Sequence, residues 1–134
     1  MQKITTFLMF VGEQHGKAEE AIRFYTSLFP NSEITHLDPY GPGENDPEGT
    51  LRFASFTLGG QSFMAIDSAY DHAFNFTPAV SLHVNCESEA EIDTLYARLS
   101  EGGAALMPLG DYGFSTKYAW VADRYGVTWQ LRLD

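Results

Sequence analysis

The spacing of apolar and polar residues changes several times along the chain, and those changes outline its elements. Residues 3–11 (KITTFLMFV) are rich in β-branched and aromatic types and predict a strand. Over 17–29 the period lengthens. Ala18, Ala21, Ile22, Tyr25, Leu28 and Phe29 fall on one helical stripe, with Glu19, Glu20 and Arg23 off it. Pro30-Asn31 stops that helix. A short strand over 33–38 follows, and PYGPGENDPEG at 39–49 has the composition of a surface loop. Strands over 50–58 and 61–67 flank Gly59-Gly60, a two-residue hairpin turn whose glycines reach positive φ without a steric penalty.

The pattern then restarts. Residues 79–85 (AVSLHVN) predict a strand, and Ser88-Glu89-Ala90-Glu91 is a capping box opening a helix with the stripe Ile92, Leu95, Tyr96 and Leu99. Gly102-Gly103 ends it, and strands near 104–109, 115–123 and 127–133 close the chain. The order is βαβββ twice. Leu8-Met9-Phe10-Val11 aligns with Ser81-Leu82-His83-Val84, and Gly60-Gln61-Ser62-Phe63-Met64 with Gly126-Val127-Thr128-Trp129-Gln130. A half this small cannot bury both faces of its sheet. The expectation is therefore one domain over 1–134 with an internal repeat, 1–67 and 79–134, in which 39–49 and 68–78 are loops.

Composition narrows the function more than the fold. The net charge of -10, from 18 acidic and 8 basic residues, repels phosphate backbones and argues against nucleic acid. It permits a cationic ligand, but acidity serves solubility equally well. No apolar run approaches the roughly 20 residues of a membrane span. Met1-Gln2-Lys3-Ile4-Thr5 alternates like a strand and lacks the apolar block of a signal peptide, so a cytoplasmic location is expected. The single cysteine, Cys86, fits a reducing compartment.

The duplicated βαβββ order resembles the vicinal-oxygen-chelate superfamily, which includes glyoxalase I, extradiol dioxygenases, fosfomycin-resistance enzymes and bleomycin-binding proteins. Several stretches are similar to its PhnB-like branch, also labelled demethylubiquinone methyltransferase-like. They are Ala18-Glu19-Glu20-Ala21 with Phe24-Tyr25, Leu28-Phe29-Pro30-Asn31-Ser32-Glu33-Ile34, residues 56–65 (FTLGGQSFMA) and residues 123–130 (DRYGVTWQ). The connection Gly12 to Gly16, carrying His15, is longer than the branch pattern. The resemblance implies an α+β glyoxalase-like fold, in which two βαβββ modules curl mixed sheets around a cleft with helices outside. It also implies a homodimer.

In metal-dependent members four ligands line that cleft, and strand alignment carries them onto Thr6, Met64, Ala79 and Gln130. Alanine has no donor, a thioether suits soft copper(I), and a hydroxyl or an amide oxygen is weak where imidazole or carboxylate is wanted. No cofactor is expected. Alternation extends the cleft face from Thr6 to Ile4, Leu8 and Phe10, and from Met64 to Ser62 and Ile66. It extends it from Ala79 to Ser81 and His83, and from Gln130 to Thr128 and Arg132. The opposite parity, Phe7, Met9, Val80, Leu82, Val84, Trp129 and Leu131, is apolar, as a helix-covered face requires.

Thr6, Met64, Ser81, His83 and Gln130 are thus the candidate ligand-binding residues. His83 suits a general base or a ligand hydrogen bond, or else a partly buried structural role. Gln130 suits a polar ligand, or pairing with Ser81 or Thr6. Arg132 suits a carboxylate ligand, or Asp134. Cys86 lies near a helix N-terminus, where a thiol pKa falls, yet no base accompanies it. Phe74-Asn75-Phe76 suits a cleft cover or a subunit contact. Gly41-Pro42-Gly43 precedes no helix, so no nucleotide-type methyl-donor site is recognisable and the branch label assigns no reaction. The leading reading is a metal-free binder of a small molecule. A metal-dependent lyase, dioxygenase or transferase and an antibiotic-sequestering protein are the alternatives. On the leading reading, elemental analysis of dialysed protein finds no stoichiometric zinc, nickel, iron or manganese; one metal per chain would overturn it.

Overall fold

The computed structural model describes residues 2–134, so Met1 lies outside the described residues. The chain divides into two compact units, one ending at Asn75 and the other spanning Phe76–Asp134. The first contains β1 (Thr6–Phe10), a 3-10 turn (Gly12–Gln14), α1 (Ala18–Thr26), β2 (Glu33–Pro39), β3 (Leu51–Leu58) and β4 (Gln61–Asp67). The second contains β5 (Ser81–Asn85), α2 (Glu89–Ser100), β6 (Ala104–Gly110), β7 (Lys117–Ala122) and β8 (Thr128–Leu133). Each unit is a four-stranded mixed sheet, ordered β1-β4-β3-β2 and β5-β8-β7-β6. The outer pairs β1/β4 and β5/β8 are parallel, and the remaining pairs antiparallel. Among the described residues no helix is long and apolar enough to cross a membrane.

Local chemistry accounts for the element ends. Gly59 and Gly60 take φ of 56° and 83°, as a tight β3–β4 hairpin demands. The Ser88 side chain accepts Glu91 N–H at 3.1 Å, while the Glu91 carboxylate reaches back to Glu87 N–H at 2.6 Å, one residue earlier than in the standard box. A Cβ on Gly103 would overlap the carbonyl of Ala122, which sets glycine at the start of β6. Helix α1 stops at Thr26, before Leu28 and Phe29. There the Thr26 hydroxyl donates to the Ile22 carbonyl at 2.9 Å and that of Ser27 to Phe24 at 2.6 Å. The first strand starts at Thr6 rather than at residue 3, and the fifth at Ser81 rather than 79.

Helix α1 buries Ala18, Ala21, Ile22 and Tyr25 against the sheet side that carries Leu8, Phe10, Ala54, Phe56 and Ala65. Helix α2 buries Ile92, Leu95 and Leu99 against Ala119, Val121, Trp129 and Leu131. Each large side chain so buried is worth about 1.5–3 kcal/mol. Neither core is wholly apolar. Asp67 is 3% exposed and accepts the N–H groups of Gly16 (2.7 Å), Ala18 (3.2 Å) and Leu51 (2.8 Å). One carboxylate thereby caps the first turn of α1, where the helix dipole favours negative charge, and fixes the start of β3. Asp123 plays a comparable part in the second unit, accepting the backbone N–H groups of Tyr125 and Val127 and the Trp129 indole N–H.

The register corrects one expectation. Thr6 pairs with Phe63 and Phe7 with Met64. Thr6, Ile4, Leu8 and Phe10 therefore do not share a face with Met64; Leu8 and Phe10 belong to the helix side. Phe7 and Met9, expected beneath a helix, lie with Met64 and Ile66 on the open side, and Phe7 is 48% exposed. A one-residue slip in strand register exchanges every side chain between faces. Val80 is also not covered; it precedes β5 and is 72% exposed.

Replacing Asp67 with Ala leaves three backbone donors unpaired, so urea unfolding should show a loss of at least about 3 kcal/mol. Asp67→Asn, which keeps one acceptor oxygen, should lose less.

Candidate functional site

In the second unit the expected face is formed. Ser81, His83 and Asn85 on β5 stand opposite Thr128, Gln130 and Arg132 on β8, which in turn face Ala122, Trp120 and Tyr118 on β7. The side chains of this row point away from α2. Ser81 and Thr128 share a hydroxyl–hydroxyl bond of 3.1 Å, and Thr128 also donates to the Val80 carbonyl at 2.7 Å. Gln130 pairs with neither Ser81 nor Thr6. Its Oε1 accepts the Tyr118 hydroxyl at 2.7 Å, which fixes the amide in place. His83, beside it, is exposed rather than partly buried.

Aromatic rings surround the Tyr118 end. Phe114 and Tyr112 stand edge-on to Tyr118 at 4.9 and 6.0 Å. Arg132 lies over the Phe114 ring at 5.8 Å, donates to the Phe114 carbonyl at 3.0 Å and pairs with Asp134 at 2.8 Å. Burial raises the Tyr118 phenol pKa above its ordinary value, with Tyr112 adding to the effect, so it stays a neutral hydroxyl donor. Trp120, between Gln130 and Met107 in the register, holds its indole Nε1 buried with no hydrogen-bond partner.

The first unit contributes a different surface. Its open side carries Met64, and a recess of about 190 Å³ there is lined by the hydroxyls of Thr35, Ser55, Thr57 and Ser62. Thr35 and Ser55 bond each other at 2.8 Å. The recess is smaller than the roughly 300–1,000 Å³ of ordinary ligand pockets. Thr6 lies on the other side of the sheet. Ala79 is exposed and precedes β5.

The positions implied as metal ligands do not fit a metal. Substituting Phe7 for Thr6, as the register requires, supplies no donor; Ala79 has none, and the Gln130 oxygen is taken by Tyr118. Among the described residues no three His, Cys, Asp or Glu side chains group to hold an ion.

Other candidates resolve individually. Cys86 is 8% exposed, and burial, reinforced by Glu91, pushes its thiol up to about 11, the reverse of the lowering expected near a helix N-terminus. A thiol held neutral at pH 7 is a poor nucleophile. His72 bonds Ser68 at 2.8 Å and sits 4.8 Å from the Phe74 ring. His15 follows the 3-10 turn with Nε2 buried and unpartnered, as is Gln14 Oε1. The 39–49 loop is pinned by Arg52, which binds Glu44 at 2.7 Å and stacks on Tyr40 at 4.8 Å.

With this geometry in view, comparisons with known proteins define the class. The family model described as 3-demethylubiquinone-9 3-methyltransferase matches residues 2–132, and the chain belongs to that family. The PhnB protein from Bacillus cereus is 57% identical, with a TM-score of 0.94 over 99% of this chain and 100% of that one. A Pseudomonas aeruginosa protein at 23% identity superposes with a TM-score of 0.79 over 98% of each chain. A glyoxylase/bleomycin resistance protein/dioxygenase domain from Frankia, 18% identical, gives 0.66 over 99% and 98%. These last two establish the fold alone. No curated protein matches. The chain is a PhnB-like protein with the fold of glyoxalase/bleomycin-resistance domains, and what is established is family membership rather than a specific reaction.

Tyr118 and Trp120 are not singled out in the sequence, although alternation over 117–122 is a signal that would place them on one face. His83→Ala should change unfolding stability by less than about 0.5 kcal/mol, as expected for an exposed side chain. Tyr118→Phe, which strips Gln130 of its partner, should cost about 1 kcal/mol. Thermal unfolding of both variants checks the pair.

Proposed function

We propose that this protein binds a small molecule without a metal, using the open face of the β5-β8-β7-β6 sheet. Ser81, His83 and Gln130 are the polar anchors, and Met64 lines the open face of the other sheet. The observation that carries the reading is the Tyr118–Gln130 bond of 2.7 Å beside exposed His83. It is a pre-oriented amide among aromatic rings, on a sheet face that α2 does not cover. Preorganised polar groups set in an apolar surround are what small-molecule sites require. Binding, rather than a defined reaction, is the proposal, because no nucleophile paired with a base stands on this face. A thermal-shift screen of a small-molecule library should yield compounds that raise Tm. The same compounds should lose that effect on the His83→Ala/Gln130→Leu double variant. Hits that stabilise the double variant equally would sink the assignment.

A cytoplasmic setting belongs to this reading, supported by the one buried, unpaired cysteine. So does a two-fold homodimer, supported by aromatic side chains left in solvent. Tyr70 is 82% exposed, Phe74 57% and Phe114 49%. Among the other loop aromatics, Tyr40 is stacked under Arg52 and Phe76 is half-buried against Gly126. Phe74, Tyr112 and Phe114 keep the burden. Large apolar side chains so exposed mark contact surfaces. Light scattering at micromolar concentration should give twice the 14.9 kDa chain mass, and Phe74→Ala should shift the species toward monomer. A mass of one chain would rule the dimer out.

A further inference from the structure

The hydrogen-bonding groups on the second sheet's open face are unevenly spent, and the imbalance specifies the ligand. Trp120 Nε1–H is buried and has no partner. An indole N–H only donates, so no ring flip or tautomer can satisfy it from its own side. In the register Gln130 is its immediate neighbour on β8 and His83 the next on β5. Gln130 has committed its oxygen to the Tyr118 hydroxyl, which leaves its amide N–H groups as donors. Thr128 gives its hydroxyl proton to the Val80 carbonyl, so Ser81 gives its own to Thr128, and both of those protons are already spent within the protein. In a chain of net charge -10, the β5, β7 and β8 positions of this face carry no aspartate or glutamate.

We infer that the molecule bound on this face presents a carbonyl or carboxylate oxygen to the Trp120 indole N–H, with an aromatic-sized apolar body against Trp120 and Met107. The inference rests on the binding reading above and supplies the chemical class that reading leaves open. It disfavours a cationic guest. An ammonium group brings only donors, which cannot meet the indole N–H, and finds no carboxylate on these strands.

The test uses the intact protein, labelled with nitrogen-15, and three probes of one size: benzoate, benzamide and benzylammonium. The chain has two tryptophans, and Trp129 donates to Asp123, so loss of one indole signal in Trp120→Phe assigns the other. Benzoate or benzamide should move the Trp120 indole proton downfield in a saturable way, and Trp120→Phe should weaken that binding roughly tenfold, the effect of one good hydrogen bond. Benzylammonium should leave the signal in place. Should Trp120→Phe fold poorly, Gln130→Glu carries the same test, since it sets a carboxylate beside the indole. Benzoate binding then falls and benzylammonium binding rises.

Benzylammonium moving the indole as strongly as benzoate, or benzoate binding Trp120→Phe undiminished, overturns the acceptor-oxygen inference while leaving the binding reading intact. An indole proton in contact with one ordered water and indifferent to all three probes overturns it as well. No shift anywhere on β5, β7 or β8 with any probe defeats the binding reading itself.

Discussion

A carboxylate taken out of water is among the most costly groups a small fold can bury, and each unit here is arranged around one. Asp67 is tolerable only because three backbone N–H groups converge on it, from the 3-10 turn exit, the first turn of α1 and the start of β3. The start of β3 lies more than thirty residues along the chain from the other two, so the carboxylate specifies their meeting point in a way apolar contacts, which are non-directional, do not. Lys17, at the N-cap position of α1, makes no side-chain capping bond; the cap comes from Asp67 at the end of β4. Asp123 sits differently, in the turn between β7 and β8, yet binds Tyr125, Val127 and the Trp129 indole in the same spirit. With helix and sheet so locked, one sheet face is committed to the core and the other is left uncovered by the helix.

Which residues are released is then a matter of register. In the second unit, alternation read from Gln130 and Ser81 places the polar row correctly. The β5/β8 pairing is as expected, and the helix-side residues Leu82, Val84, Trp129 and Leu131 are unmistakably apolar. In the first unit the same rule misplaces β1. KITTFLMFV is apolar at both parities from Phe7 onward, so alternation carries no information about which set faces α1, and alignment to Thr6 chose the wrong one.

Element order, hairpin glycines, the capping serine and the duplication were legible because each rests on local chemistry. The side-chain bonds that define the site were not. Tyr118 and Gln130 are 12 positions apart, and nothing in either residue's neighbourhood names the other. Two candidate partners for Gln130, Ser81 and Thr6, were reasonable by parity alone. Ser81 lost to Thr128, directly opposite it, and Thr6 to the register slip. Cys86 illustrates a competition of magnitudes. The helix N-terminus lowers a thiol pKa, but burial with Glu91 nearby outweighs it and raises the value to about 11.

The two units share an architecture and have diverged on their open faces, and that divergence bears on where function lies. The first presents Phe7, Met9, Met64 and Ile66 beside a small hydroxyl-lined recess whose Thr35 and Ser55 satisfy one another. Such a surface can add apolar contact but has few unspent polar groups with which to choose a partner. The second presents a fixed amide, an exposed imidazole and an unpaired indole N–H. An unmet donor in a buried position lowers the stability of the free protein, and a ligand that meets it recovers that loss on binding. Polar groups left unpaired in the free state also reject analogues lacking the matching atom far more strongly than an apolar wall rejects a change of shape. On the binding reading proposed above, discrimination between ligands belongs to the second sheet.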